Sequence, residues 1–174
     1  MMIETWMHQK EIDLVEKYLK PETIMLEWGS GGSTLQFSKL VKRYFSIENN
    51  REWFDKVRLD INKNTELFYI PEITKEEILH STYGNYKYYV DKGGYIAKDY
   101  NIKFDVVLID GRARVDCAKH IIPHLSADAI VFVHDFWKHT RARYQPILEY
   151  YNEVESEKST RATIIALKPK EKIQ

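Results

Sequence analysis

Cysteine is almost missing from this sequence: Cys117 is the only one in 174 residues, so no intrachain disulfide can form. It falls in an apolar-periodic segment, which predicts a buried structural thiol and suits the cytoplasm or another reducing intracellular compartment. Long apolar runs are missing too. No stretch approaches the ~20 residues that a membrane span needs, and no membrane partner is expected. The first residues, MMIETWMHQKEIDLVEKYL, carry acidic side chains throughout and no apolar core, so a signal peptide is not expected. Neither sign of charge is in excess, with 26 basic against 26 acidic residues. That balance argues against nucleic acid as a partner, although Lys138, Arg141 and Arg143 can form a local basic patch. No GxSxG elbow, P-loop, CxxC pair or HExxH helix is present, which removes the starting residues for hydrolase, NTPase, thiol-redox and zinc-protease readings. His120 and His124 are four apart, but Pro123 intervenes and no zinc site is expected there.

What is present is a chain with 44% hydrophobic residues, long enough for a single domain over 1–174 with one real core. Its periodicity alternates. Residues 8–19 carry Ile12, Leu14, Val15, Tyr18 and Leu19 at helical spacing, giving an N-terminal helical segment within 1–22 that Pro21 ends. Apolar runs at 24–28, 44–48, 66–70, 104–110, 129–134 and 163–167 read as strands, with helices over about 33–43, 50–62, 114–124 and 142–151 between them. Strands separated by helices predict an α/β fold: a doubly wound, mostly parallel sheet with helices on both faces. Residues 72–103 break the rhythm with Gly84, Gly93, Gly94 and six tyrosines (Tyr83, Tyr86, Tyr88, Tyr89, Tyr95, Tyr100). They read as an insertion after the third strand that caps the site, its aromatic faces suiting a sugar or aromatic ligand.

The most informative segment is LEWGSGGST, residues 26–34. It sets Gly29, Ser30, Gly31, Gly32 and Ser33 directly after a strand and before a helix. Glycines there let the backbone turn sharply and approach a ligand that a Cβ would exclude. Ser33 and Thr34 add hydroxyl donors. Thr34 stands where a dinucleotide fingerprint has its third glycine, and Glu27 just ahead of the turn would repel a pyrophosphate while attracting a cation. Glu48, about twenty residues on at the end of the next strand, suits the two hydroxyls of a ribose.

EWGSGGST followed by IEN resembles the first two motifs of class I S-adenosylmethionine-dependent methyltransferases, and the resemblance covers most of the chain. It implies a Rossmann-like fold in which Glu27 and the Gly29–Gly32 backbone hold the methionine part of S-adenosylmethionine. Glu48 would then hold the ribose, and Asn49 would lie along the adenine. Here Gly31 and Gly32 are adjacent, where that family usually keeps one residue between its second and third glycines.

Two later strands end in chemistry-bearing residues: Asp110-Gly111-Arg112 and His134-Asp135-Phe136. At the carboxyl edge of one parallel sheet, Glu27, Asp110 and Asp135 converge. Methyl transfer from a sulfonium needs positioning of the acceptor and a base for its proton. His134 is the favoured base, with Asp135 or Asp110 orienting it. Asp110 and Asp135 with His134 can alternatively hold a divalent cation, as in catechol-type O-methyltransferases, but the asparagine that follows the second aspartate there is Phe136 here. Arg112 and Arg114 can clamp a carboxylate or phosphate on the acceptor. Together these predict O-methylation of a small-molecule acceptor bearing a hydroxyl. A sugar or glycan is favoured, since DGRARVDCA and VHDF are loosely similar to methyltransferase-like proteins associated with glycan synthesis. Transfer to nitrogen, an NAD(P)-type oxidoreductase using the same turn, and a non-catalytic cofactor-binding module are the competing readings.

Overall fold

A computed structural model describes residues 5–73, 82–136, 141–158 and 163–171. Seven strands form one sheet: β1 (Ile24–Trp28), β2 (Arg43–Glu48), β3 (Thr65–Tyr69), β4 (Phe104–Ile109), β5 (Leu125–Val133), β6 (Tyr151–Lys158) and β7 (Thr163–Pro169). Their order is β3-β2-β1-β4-β5-β7-β6. The first five pair in parallel, and β7 runs antiparallel to both β5 and β6. The order reverses direction between β1 and β4, so a crevice opens beyond their carboxyl ends.

Strand parity decides what lies on each face, because successive side chains alternate. Met25, Tyr44, Val106, Leu108 and Phe132 join a core with α1 (Gln9–Glu16) and α2 (Gly32–Phe37). Leu26, Trp28, Phe45, Val107, Ile109 and Val131 join the opposite core, under α4 (Thr82–Asp99) and α5 (Arg114–Ile121). The shorter α3 (Arg51–Val57) packs at β2 and β3, and α6 (Arg141–Tyr144) precedes the terminal hairpin. The doubly wound, two-faced sheet is therefore the observed fold.

Three elements differ from the sequence expectation. The segment expected to be an insertion over the site contains the 18-residue α4, which makes the crossover from β3 to β4. Tyr89, Val90, Ile96 and Ala97 recur at helical spacing and are buried in the core. Burying Val90 and Ile96 alone is worth roughly 1.5–3 kcal/mol each, which outweighs the helix penalty of about 1 kcal/mol for each glycine. Gly93 is required by packing: a Cβ there would lie 2.6 Å from the Trp28 indole. Trp28 Nε1 donates to Tyr89 O at 2.9 Å, fastening helix to strand.

Second, α2 is short and passes through a 3-10 turn at Ser38–Leu40, so that Arg43 already belongs to β2. Third, Tyr151–Lys158 is an edge strand where a helix end and a loop were expected. Its residues after Tyr151 are half-buried or exposed, which leaves little apolar alternation to read. Cys117 is buried as expected, and burial pushes its thiol up. Among the described residues no helix is long and apolar enough to cross a membrane. Of the basic patch, Lys138 and the side chain of Arg141 lie outside the described residues.

Candidate active site

The turn after β1 is held from below by a carboxylate. Glu27 shares the strand face of Met25, so it points beneath α2 rather than into the crevice, and it is fully buried. It accepts hydrogen bonds from Ser33 Oγ, from Thr34 Oγ1 and, at 2.9 Å, from Ser46 Oγ. Ser46 is its β2 register partner. Burial, with the nearby Asp110 charge, raises the Glu27 pKa to about 7 against these bonds. The structure thus separates Glu27 from the crevice: the carboxylate expected to meet a ligand's ammonium instead fixes the start of α2. Ser33 and Thr34 likewise spend their hydroxyls on Glu27.

Gly29 sits at φ +96°, and a Cβ there would lie 2.7 Å from Gly111 N, so the loops after β1 and β4 touch through their glycines. Gly31 N donates to Thr34 Oγ1 at 2.9 Å, and Ser30 N donates to Glu48 at 2.8 Å. Two amides that a pyrophosphate cradle would use are therefore engaged within the protein. Glu48, nearly fully buried, also accepts from Ser30 Oγ at 3.1 Å, Asn49 N at 2.8 Å and Asn50 N at 2.7 Å. Four donors on one carboxylate fix the end of β2 firmly against the turn.

The second edge is an ion network. Asp110 stands two residues after Leu108, and His134 two after Phe132, which by alternation places both on the α1 face of the sheet. His134 Nδ1 lies 3.0 Å from Asp110 Oδ1 and 3.7 Å from Asp135 Oδ1. Its Nε2 lies 3.5 Å from Glu11 Oε1 on α1, an ion-pair distance without hydrogen-bond geometry. Burial lowers the His134 pKa, but the Asp110 and Glu11 partners and the Asp135 charge win and raise it to about 10. Contact with His134 also brings Glu11 below the usual carboxylate range, against the desolvation of its burial. Arg114 closes the network. Its Nη2 lies 3.2 Å from Asp110 Oδ1 and 3.0 Å from Asp135 Oδ2. It also donates to the carbonyls of Gly111 (3.0 Å), Asp110 (3.0 Å) and His134. Arg114 is thus a brace between the two loops and is turned away from solvent. Arg112 is exposed at the cleft wall. Asp135 is held at φ +58°, a left-handed conformation that aspartate tolerates.

One cleft of about 680 Å³ joins the two edges. It is lined by Gly29–Ser33, Glu48, Asn49, Asp110, Arg112, His134 and Asp135, so every candidate site residue except Glu27 meets there. Sequence reading missed two contributors, Trp53 and Glu11. Trp53 on α3 donates its indole N–H to Ser30 O. Trp6, 86% exposed, packs on Trp53 with ring centroids 5.5 Å apart. The signal for Glu11 was present: it shares the helical stripe Glu11, Leu14, Val15 that α1 turns inward.

Asp110, His134 and Asp135 can each bring one donor atom within 4.8 Å of the others. The trio does not fit a divalent ion as arranged, because Arg114 already neutralises both carboxylates and His134 turns Nδ1 to Asp110.

Solved structures share this architecture over nearly the whole chain. A methyltransferase-like protein from Silicibacter pomeroyi is 22% identical with a TM-score of 0.65, covering 97% of this chain and 90% of its own. The precorrin 8W decarboxylase of Methanobacterium thermoautotrophicum is 11% identical with a TM-score of 0.65, covering 95% and 92%. A Streptococcus mutans protein solved in complex with SAH is 11% identical with a TM-score of 0.56, covering 94% and 98%. Neither a protein-family model nor a curated protein sequence matches the chain. The fold is the Rossmann-like α/β fold that these solved structures have.

Proposed function

We propose that this protein is an S-adenosylmethionine-dependent methyltransferase acting on a hydroxyl of a small acceptor. The observation that carries the reading is the single cleft that runs from the glycine turn and Glu48 to the Asp110, His134 and Asp135 edge. S-adenosylmethionine, when bound, supplies an electrophilic methyl group. The Gly29–Ser33 turn would hold it, and Glu48, Asn49 and Trp53 line the same end.

The ion network divides the remaining work. With its pKa raised to about 10, His134 is an imidazolium at neutral pH, and it serves as a fixed cation rather than as the base. Asp135 opens furthest onto the cleft, its side chain 42% exposed against 27% for Asp110, and it receives the acceptor proton. Arg114 holds both carboxylates in place. Arg112 lies at the wall, where it can meet an anionic group on the acceptor. The sugar or glycan preference keeps this arginine as support but loses the tyrosines, since α4 belongs to the frame.

The same geometry disfavours an NAD(P) pyrophosphate cradle, because the Ser30 and Gly31 amides it would need are engaged within the protein. Calorimetry with S-adenosylhomocysteine and NAD⁺ separates the two. Saturable binding of the first alone is expected, and binding of NAD⁺ alone would sink the proposal. A non-catalytic module would bind S-adenosylhomocysteine yet transfer no label to any hydroxylated acceptor in a screen with labelled cofactor.

A further inference from the structure

Glu11 has no place in the cofactor cleft, yet it is fully buried. A buried carboxylate is strongly disfavoured unless both oxygens are matched. Its Oε2 accepts from His8 N at 2.9 Å, closing the first turn of α1. Its Oε1 has no hydrogen-bond partner among the described residues, and neither has His134 Nε2, which it faces at 3.5 Å. These two buried atoms therefore answer only each other. The residues before α1 extend from this point along the cleft wall: Thr5, Trp6 and Met7 line it, and Thr5 Oγ1 donates to Gln36 Oε1 at 3.0 Å.

A purely structural anchor for α1 would not need a carboxylate here. Ile12, Leu14 and Val15 already bury the helix, and an apolar side chain at position 11 would extend that stripe. What the carboxylate adds is a second fixed point for the imidazole. Asp110 holds Nδ1 from the β4 side, Glu11 faces Nε2 from the helix side, and with both in place the ring cannot rotate about its Cβ–Cγ bond. The charged groups around His134 are then Glu11 from α1, Asp110 after β4, the neighbouring Asp135, and Arg114 from α5.

We propose that Glu11 is a positioning residue: it fixes the His134 ring from the side opposite Asp110, and the same carboxylate ties the cleft-lining segment before α1 to the reacting edge. The role in turnover rests on the methyltransferase reading, whereas the ring's fixation does not. Two readouts keep these apart. In the protein alone, imidazole nitrogen-proton NMR signals report the ring. Both N–H signals of His134 are expected in slow exchange with water in the wild type, with loss of the Nε2–H signal in Glu11→Ala and its retention in Glu11→Gln, whose carbonyl oxygen keeps a polar atom opposite the N–H. Unchanged signals in Glu11→Ala would overturn the proposal, whatever the protein catalyses.

In labelled-methyl turnover, Glu11→Ala should lower kcat at least tenfold while KM for the cofactor and S-adenosylhomocysteine affinity stay within about twofold, with partial rescue in Glu11→Gln. A variant with lowered Tm but undiminished kcat would reduce Glu11 to a helix anchor and overturn the positioning role. If Glu11→Ala does not fold, the isosteric Glu11→Gln and the shortened Glu11→Asp decide. Glu11→Asp is then expected to show the signal loss and the fall in kcat.

Discussion

The two edges of the cleft both depend on carboxylates, and they match them in opposite ways. At the glycine turn, Glu27 is surrounded by three hydroxyls and Glu48 by three amides and a hydroxyl, all neutral donors from the elements being joined. At the strand ends, Asp110, Asp135 and Glu11 face the cations Arg114 and His134. Neutral donors fix backbone shape and leave no strong field, which suits a surface that receives a ligand by fit. Fixed cations beside carboxylates hold charge in place, which suits a surface where a proton must move. The difference supports the proposed division of labour, with binding at one edge and chemistry at the other.

The largest effect that tests this contrast is the loss of Arg114. Arg114→Met removes a buried guanidinium that bridges two carboxylates and three carbonyls, and should destabilise the fold by about 3–5 kcal/mol in urea unfolding. A loss below about 1 kcal/mol would show that the network is slack. Next is pH. His134 is raised from 6.5 to about 10, so the stability it confers is fully present below pH 6.5 and lost as pH climbs through 10. Tm should fall across that window by an amount equivalent to a few kcal/mol, and His134→Gln should flatten the fall. A wild-type Tm that is level from pH 7 to 10 would break the charge assignment. The smallest effect belongs to the turn. Glu27 is raised from 4.5 to about 7, so its contribution is present below pH 4.5 and lost as pH rises through 7. Glu27→Gln should level that lower window while changing neutral stability by only about 1 kcal/mol. A change as large as that of Arg114→Met would mean that Glu27 carries its charge as the strand-end carboxylates do.

Much of the fold was legible because parallel strands buried on both faces read as apolar runs, and β1, β2, β4 and β5 are such runs. β6 was not, since an edge strand of glutamates carries no apolar period. α4 was obscured by Gly93 and Gly94, which read as breakers but serve close packing against Trp28 and beside His124. The members of the cleft followed from strand ends and could be named. Their orientation was harder to name. Glu27 lies inward because strand parity gives it the face of Met25, and the same parity turns His134 towards α1, where Glu11 waits on the inward stripe. Periodicity carried that information, but it becomes usable only when the helix covering each face is known.

The fit of Gly93 against Trp28 ties two distant positions together across descent. While an indole ends β1 and donates to a carbonyl of the crossover helix, position 93 can hold nothing larger than hydrogen. Relatives of this chain should therefore change the two as a pair: a side chain at 93 appearing only where the residue at 28 has become smaller, and glycine persisting at 93 wherever tryptophan persists at 28.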